Sequence, residues 1–131
     1  MNVSTYKPKA ILVVDDDPVI REMMVDILDL EGYAVDVARN GQEALNRIED
    51  LQHTGSDSGY LIFLDLMMPV MDGQTFCREL MAHPDWRAQQ VIVIMSALDH
   101  IAQANLPDVN VIIHKPFGVD EILSVIQQYI G

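Results

Sequence analysis

Short apolar runs alternate along the chain with longer segments that show helical periodicity. Each apolar run is too short for a helix and is bounded by turn residues, which predicts a buried strand. The predicted strands are Ala10 to Val14, Ala34 to Ala38, Tyr60 to Leu64, Val91 to Met95 and Val111 to Ile113. Because parallel neighbours need crossover connections, this order predicts an α/β fold with a doubly wound, five-stranded parallel sheet.

The segments between the runs carry helix signals of unequal strength. The clear helices run from Asp17 to Gly32, from Ala44 to Leu51, from Asp72 to about Ala82 and from Val119 to Ile130. Asn40-Gly41 predicts a turn before the second of them. Leu98 to Ala104 has room for only two helical turns before Pro107, so we expect a short or irregular fourth helix.

Composition narrows the class of protein. A chain of 131 residues with 50% hydrophobic residues fits one domain over residues 1–131, with a core at about 9–130. The net charge of -12 argues against direct binding to nucleic acid. Cys77 is the single cysteine and is expected to be buried, which favours a reducing compartment, and no apolar stretch is long enough for a signal or a membrane span. We therefore expect a cytoplasmic protein.

Polar side chains follow four of the predicted strands. Asp15 and Asp16, Asp65, Ser96 and Lys115 each come directly after an apolar run. In parallel sheets these carboxyl ends meet at one edge, where ligands bind. At roughly 5 Å and an effective dielectric of about 20, each pair of carboxylates repels by on the order of 3 kcal/mol. Lys115 and a magnesium ion are the expected counter-charges.

This set of residues suits phosphoryl transfer to an aspartate. A carboxylate beside Mg²⁺ can attack phosphorus and form an acyl phosphate. Asp65 is the predicted acceptor, and Ser96 and Lys115 would each hold a phosphate oxygen.

The chain resembles the receiver domains of bacterial two-component response regulators, of the chemotaxis-regulator type. The resemblance is carried by ILVVDDDP, LIFLDLMMPVMDG, VIVIMSA and IIHKPF. It implies the flavodoxin-like strand order 2-1-3-4-5, with Asp65 as phosphoacceptor and metal ligand. It also implies that Asp16 binds Mg²⁺ directly, that Asp15 acts through water, and that the backbone carbonyl of Met67 completes the metal shell.

The resemblance also implies partners and a mode of action. A histidine kinase or histidine phosphotransfer protein would supply the phosphoryl group, and a downstream target protein would recognise the result. Such a domain assists its own phosphorylation but is not a turnover enzyme. The sequence identifies neither partner, and the oligomeric state stays unknown.

The sequence departs from the family pattern in the residues that relay the signal. Ile112 stands where the family usually has Tyr or Phe, so no ring can swing inward. The stretch from Ser96 to Lys115 is also short, while the loop from His53 to Gly59 is long. We therefore expect a local switch in which Ser96 and residues 98–110 move.

Two other functions compete with this interpretation. Asp15 and Asp17 form an Asp-x-Asp pair, as in magnesium-dependent phosphatases of the haloacid-dehalogenase type. The second alternative is a receiver that docks partners without being phosphorylated. The chain's start at Met1 slightly favours a free-standing regulator over a domain of a larger chain.

Overall fold

The strands form one parallel sheet in the predicted order. The computed structural model describes residues 8, 10–54, 59–97 and 109–130. In these ranges the strands are β1 (Ala10–Val14), β2 (Val35–Ala38), β3 (Tyr60–Asp65), β4 (Val91–Ala97) and β5 (Val111–Lys115). All pairings are parallel, and the order is β2-β1-β3-β4-β5. The predicted doubly wound, flavodoxin-like sheet is confirmed.

The helices agree with the prediction except at two places. In the same ranges they are α1 (Pro18–Leu30), α2 (Gly41–His53), α3 (Gly73–Met81), α4 (Pro84–Ala88) and α5 (Val119–Tyr129). The turn predicted at Asn40-Gly41 is present at Asn40, where the chain bends after β2, but Gly41 already begins α2, which Asn40 caps by accepting a hydrogen bond from Glu43 N (3.0 Å). The short α4 was not predicted. None of these helices is long and apolar enough to cross a lipid bilayer.

The segment expected to hold a short or irregular fourth helix lies outside the described residues. Leu98 to Ala104 and Pro107 fall between the end of β4 and Val109, where the description resumes. The expectation for this segment therefore stays a prediction.

Two apolar layers cover the sheet. Alternate residues of each central strand face opposite sides, so Leu12 packs in a cluster with α2 and α3, while Val13 packs in a cluster with α1 and α5. Cys77 belongs to the first cluster and is 1% exposed, which confirms that it is a small buried residue. Because helices cover both faces, the central strands are apolar throughout, and polar residues begin only at their ends.

α1 begins abruptly after β1. Asp17 accepts a hydrogen bond from Val19 N (2.9 Å), and Pro18 occupies the first turn. At the other end Gly32 has a φ of 85° and its N–H bonds to Asp29 O (3.0 Å), which ends the helix as the sequence predicts. This sharp start keeps the two residues between β1 and the cap at the edge of the sheet.

Candidate functional site

The strand register brings the predicted polar residues to one edge. Val14 pairs with Leu64, so Asp15 and Asp65 come next on adjacent strands. On the other side of β3, Asp65 pairs with Met95, which precedes Ser96.

One detail of the prediction is corrected. Asp65, Ser96 and Lys115 lie within β3, β4 and β5 instead of following them, because the ladders continue to the pairs Asp65 with Met95 and Ala97 with Lys115.

Three carboxylates meet at this edge. One oxygen from each of Asp15, Asp16 and Asp65 lies within 4.8 Å of the others. Asp15 and Asp65 are 1% and 6% exposed, whereas Asp16 is open to solvent. A cluster with two buried members and one exposed member can take a cation from solvent.

Lys115 is the cation that faces this cluster. Its Nζ donates to Asp15 Oδ2 at 3.0 Å and lies 3.5 Å from Asp65 Oδ1. Partial burial lowers the pKa of Lys115, but the bond to Asp15 and the charges of both aspartates outweigh it, so the pKa is raised overall. Lys115 therefore stays charged, but its single positive charge does not neutralise three negative carboxylates.

The β1–α1 loop fixes Asp15. Asp15 Oδ1 accepts a hydrogen bond from Asp17 N (3.0 Å), and Arg21 Nη1 donates to the Asp15 carbonyl (2.7 Å). Sequence reasoning missed Arg21. The available signal was its position one helical turn beyond the cap Asp17, which places it on the same side of α1.

The environment of Asp65 favours its neutral form. Its pKa is raised to about 6, first by burial and then by the charge of Asp15. Lys115 and the N–H groups of Met67 and Leu66, which donate to the Asp65 carboxylate, oppose the rise. An additional cation here would lower the pKa of Asp65 again and stabilise the charged form.

Ser96 supplies a buried hydroxyl without a partner. Its residue is 1% exposed, and its Oγ has no hydrogen bond to any described part of the chain. A buried hydroxyl left unpaired is unfavourable by about 1–3 kcal/mol, and such groups are rare in native proteins. The unpaired Oγ is therefore available to a ligand at this edge of the sheet.

The remaining predicted residues divide into two groups. Met67 follows Asp65 by two positions, and its side chain is exposed, as is that of Ile112 on β5. Leu98 and the rest of the predicted moving segment lie outside the described residues, which end at Ala97 and resume at Val109.

Comparisons with known proteins agree with this architecture. The family model of the response regulator receiver domain matches residues 11–127, so the chain belongs to the family of response regulator receiver domains. Domains of this family act as phosphorylation-dependent signalling modules and bind Mg²⁺ at a cluster of aspartates. They interact in general with histidine kinases and with downstream targets. The phosphatase alternative receives no support.

Curated relatives match over most of the chain. The chain is 36% identical to Response regulator MprA of Mycolicibacterium vanbaalenii over 123 residues, covering 89% of the chain and 48% of that protein. It is also 36% identical to Response regulator MprA of Mycobacterium tuberculosis, over 87% of the chain and 47% of that protein. The chain thus spans about half the length of these relatives.

Solved structures with the same fold come from several contexts. The receiver domain of a signal transduction histidine kinase from Syntrophus aciditrophicus superposes with a TM-score of 0.77 at 30% identity, covering 93% of this chain and 89% of that one. The chemotaxis protein CheY4 of Vibrio cholerae gives 0.72 at 25% identity, with 93% and 98% covered.

Proposed function

We propose that Asp65 is the phosphoacceptor of this receiver domain. The unpaired Ser96 hydroxyl carries the proposal, since it is a buried donor at the strand end next to that of Asp65. Lys115 lies 3.5 Å from Asp65 Oδ1 and supplies positive charge. A carboxylate, a free hydroxyl and an ammonium group together suit a phosphoryl group and its oxygens.

We propose that the cation of this site is Mg²⁺. Asp15 already accepts bonds from Lys115 and from the backbone, whereas Asp16 is exposed. This difference supports Asp16, beside Asp65, as a direct ligand and Asp15 as a ligand through water. The Met67 carbonyl would be the further ligand that the family resemblance implies. When bound, Mg²⁺ would neutralise charge on the phosphoryl oxygens and on the carboxylates.

In the proposed reaction a carboxylate oxygen of Asp65 attacks the phosphorus of a phosphohistidine. A bond between this oxygen and phosphorus forms, the phosphorus–nitrogen bond breaks, and its electron pair leaves with the imidazole. Lys115 would hold one oxygen of the transferred group, and the Ser96 hydroxyl would donate a hydrogen bond to another. The chain is thus a substrate that assists one transfer, without turnover.

The resulting switch would be electrostatic and local. A phosphoryl group adds about -1.5 to -2 charge, which would draw Ser96 and Lys115 towards Asp65. Ile112 carries no aromatic ring, so the movement would pass through the residues that follow Ser96.

The phosphate would come from a histidine kinase or a histidine phosphotransfer protein, and a target protein would read the change. We propose that this exchange takes place in the cytoplasm and that residues 1–131 form a single receiver unit. The unpaired, buried Cys77 supports a reducing compartment.

Intact-mass measurement tests the acceptor. The protein is mixed with acetyl phosphate and Mg²⁺, and we expect a mass gain of one phosphoryl group that is lost in Asp65→Asn and in the presence of a chelator. Asp17→Asn is the matched control, because an asparagine at this position can still cap α1 and the residue lies outside the cluster.

The competing functions predict other outcomes. An unchanged mass for the wild-type protein would refute the proposal. Normal signalling by Asp65→Asn in cells would favour a module that only docks partners.

A further inference from the structure

The loop that follows the proposed acceptor is held at both of its ends. This acceptor loop, residues 66–72, joins β3 to α3. At one end Gly73 N donates to Leu66 O (3.0 Å), and near the other Gly41 N, at the start of α2, donates to Met71 O (2.9 Å). Two helix starts therefore fix the path of the chain directly after Asp65.

Gly73 leaves no room for a side chain. A Cβ at this position would overlap the backbone oxygen of Asp65 and lie 3.0 Å from Leu66 Cα. Both are main-chain atoms, which cannot rotate away as a flexible side chain can. Any larger residue at position 73 must therefore displace the backbone of the acceptor.

Gly41 is crowded by the same loop, though less severely. Its Cβ would lie 2.8 Å from Met71 Cγ, 2.9 Å from Met71 O and 3.0 Å from Phe76 Cβ. Part of this overlap is with the flexible side chain of Met71, so a smaller displacement of the loop would relieve it.

Backbone freedom does not explain these two glycines. Positive φ values among the described glycines occur only at Gly32, so Gly41 and Gly73 are needed for space. The one described non-glycine residue with positive φ is Val70, at 68°, inside the acceptor loop. A β-branched residue rarely adopts this conformation unless its surroundings enforce it, which indicates that the loop is tightly constrained.

We propose that Gly73, and to a smaller degree Gly41, are positioning residues for the phosphorylation of Asp65. The absence of a Cβ lets α3 and α2 approach the acceptor loop closely enough to fix the Asp65 carboxylate and the backbone of Met67. This inference rests on the function proposed above.

Alanine variants with matched controls separate positioning from stability. Gly73→Ala and Gly41→Ala are compared with Gly59→Ala, whose Cβ would overlap Gln89 O at the opposite end of β3. Gly32→Ala is a second control, because it strains a positive φ in open space. For each variant we measure the thermal midpoint, the Mg²⁺ dissociation constant by calorimetry without phosphodonor, and the rate of phosphorylation against acetyl phosphate concentration.

We expect Gly73→Ala to weaken Mg²⁺ binding and to lower the maximal phosphorylation rate about tenfold or more, since small misplacements of reacting groups have effects of this size. Gly41→Ala should lower the Mg²⁺ affinity and the maximal phosphorylation rate by smaller factors. The two controls should lose thermal stability but keep the wild-type Mg²⁺ affinity and rate. Backbone amide NMR shifts of Leu66 and Met67 in metal-free protein should move in Gly73→Ala and stay unchanged in Gly59→Ala.

The inference would be overturned if Gly73→Ala kept the wild-type Mg²⁺ affinity, phosphorylation rate and amide shifts. It would also be overturned if all variants, controls included, lost Mg²⁺ affinity and rate in proportion to the fall in their thermal midpoints. If Gly73→Ala does not fold, Gly41→Ala decides by the same criteria. Absence of phosphorylation in the wild type would refute the proposed function, while the Mg²⁺ and amide measurements would still decide the inference.

Discussion

Buried polar groups are bonded differently at the two ends of the strands. We call the side of the sheet where the strands begin the amino edge and the side where they end the carboxyl edge. At the amino edge, Gln90 is 3% exposed, and both ends of its amide are bonded, to Tyr60 N (2.7 Å) and Trp86 O (3.1 Å). At the same edge the exposed Asn110 accepts a hydrogen bond from the N–H of the buried Ile92 (2.9 Å). At the carboxyl edge the Ser96 hydroxyl has no partner among the described residues. The amides at the amino edge are thus bonded within the protein, whereas the hydroxyl at the carboxyl edge is left to bond a ligand.

The same contrast holds for charge. Near the amino edge, Asp36 accepts a hydrogen bond from the Tyr60 hydroxyl (2.7 Å) and lies 3.9 Å from Arg47. At the carboxyl edge one lysine faces three carboxylates. Mutations should therefore reduce stability at the amino edge, whereas at the carboxyl edge they should change ligand binding and even stabilise the metal-free protein.

The largest effect on stability is expected for Gln90→Ala. The change leaves Tyr60 N buried without its acceptor, so the free energy of unfolding should fall by about 2–3 kcal/mol. Urea unfolding measures the loss. Gln127→Ala, at an exposed position of α5, is the control and should stay within about 0.5 kcal/mol of wild type. Equal values for the two variants would remove the contrast between the edges.

An intermediate effect is expected from Asp65→Asn in the metal-free protein. The Asp65 pKa is raised from 3.8 to about 6, so the folded state binds this proton more tightly than the unfolded chain does. The contribution to stability is present below pH 3.8 and is lost as pH rises through about 6. Wild type should thus become less stable relative to Asp65→Asn between pH 5 and pH 7, on the order of 1–2 kcal/mol.

Urea unfolding in the presence of a chelator, at both pH values, checks this sign. Asp17→Asn should follow the wild type, since Asp17 is not part of the cluster. A pH dependence that is the same in Asp65→Asn and in wild type would show that Asp65 does not carry the shift.

The smallest effect on stability is expected for Ser96→Ala. Its buried hydroxyl makes no hydrogen bond in the described structure, so removing it should raise the free energy of unfolding of the metal-free protein by about 1 kcal/mol, at the low end of the cost of such a group. The same variant should accept phosphate from acetyl phosphate more slowly, by about tenfold, in intact-mass time courses. A large loss of stability with an unchanged rate would mean that Ser96 is structural.

Much of the fold and of the site was accessible from the sequence. Asp15, Asp65 and Lys115 could be grouped because parallel strands place their carboxyl ends together, a rule that needs only strand order. The space around Gly41 and Gly73 was not accessible, since it depends on how residues far apart in the chain pack.

The short helix α4 and the ends of the strands were not predicted from the sequence for a different reason. α4 has 5 residues, too few for a helical period to show, although Pro84 at its first turn was a usable signal. The ends of β3, β4 and β5 were placed too early because polar Asp65, Ser96 and Lys115 still take part in the ladders.

The pairing of Asp65 with Met95 limits which insertions and deletions the strands can tolerate. Side chains alternate between the faces of a strand, so inserting or deleting one residue within β3 or β4 would turn the acceptor or the hydroxyl away from its neighbours. Length variation among natural variants should therefore spare the strands that carry the site.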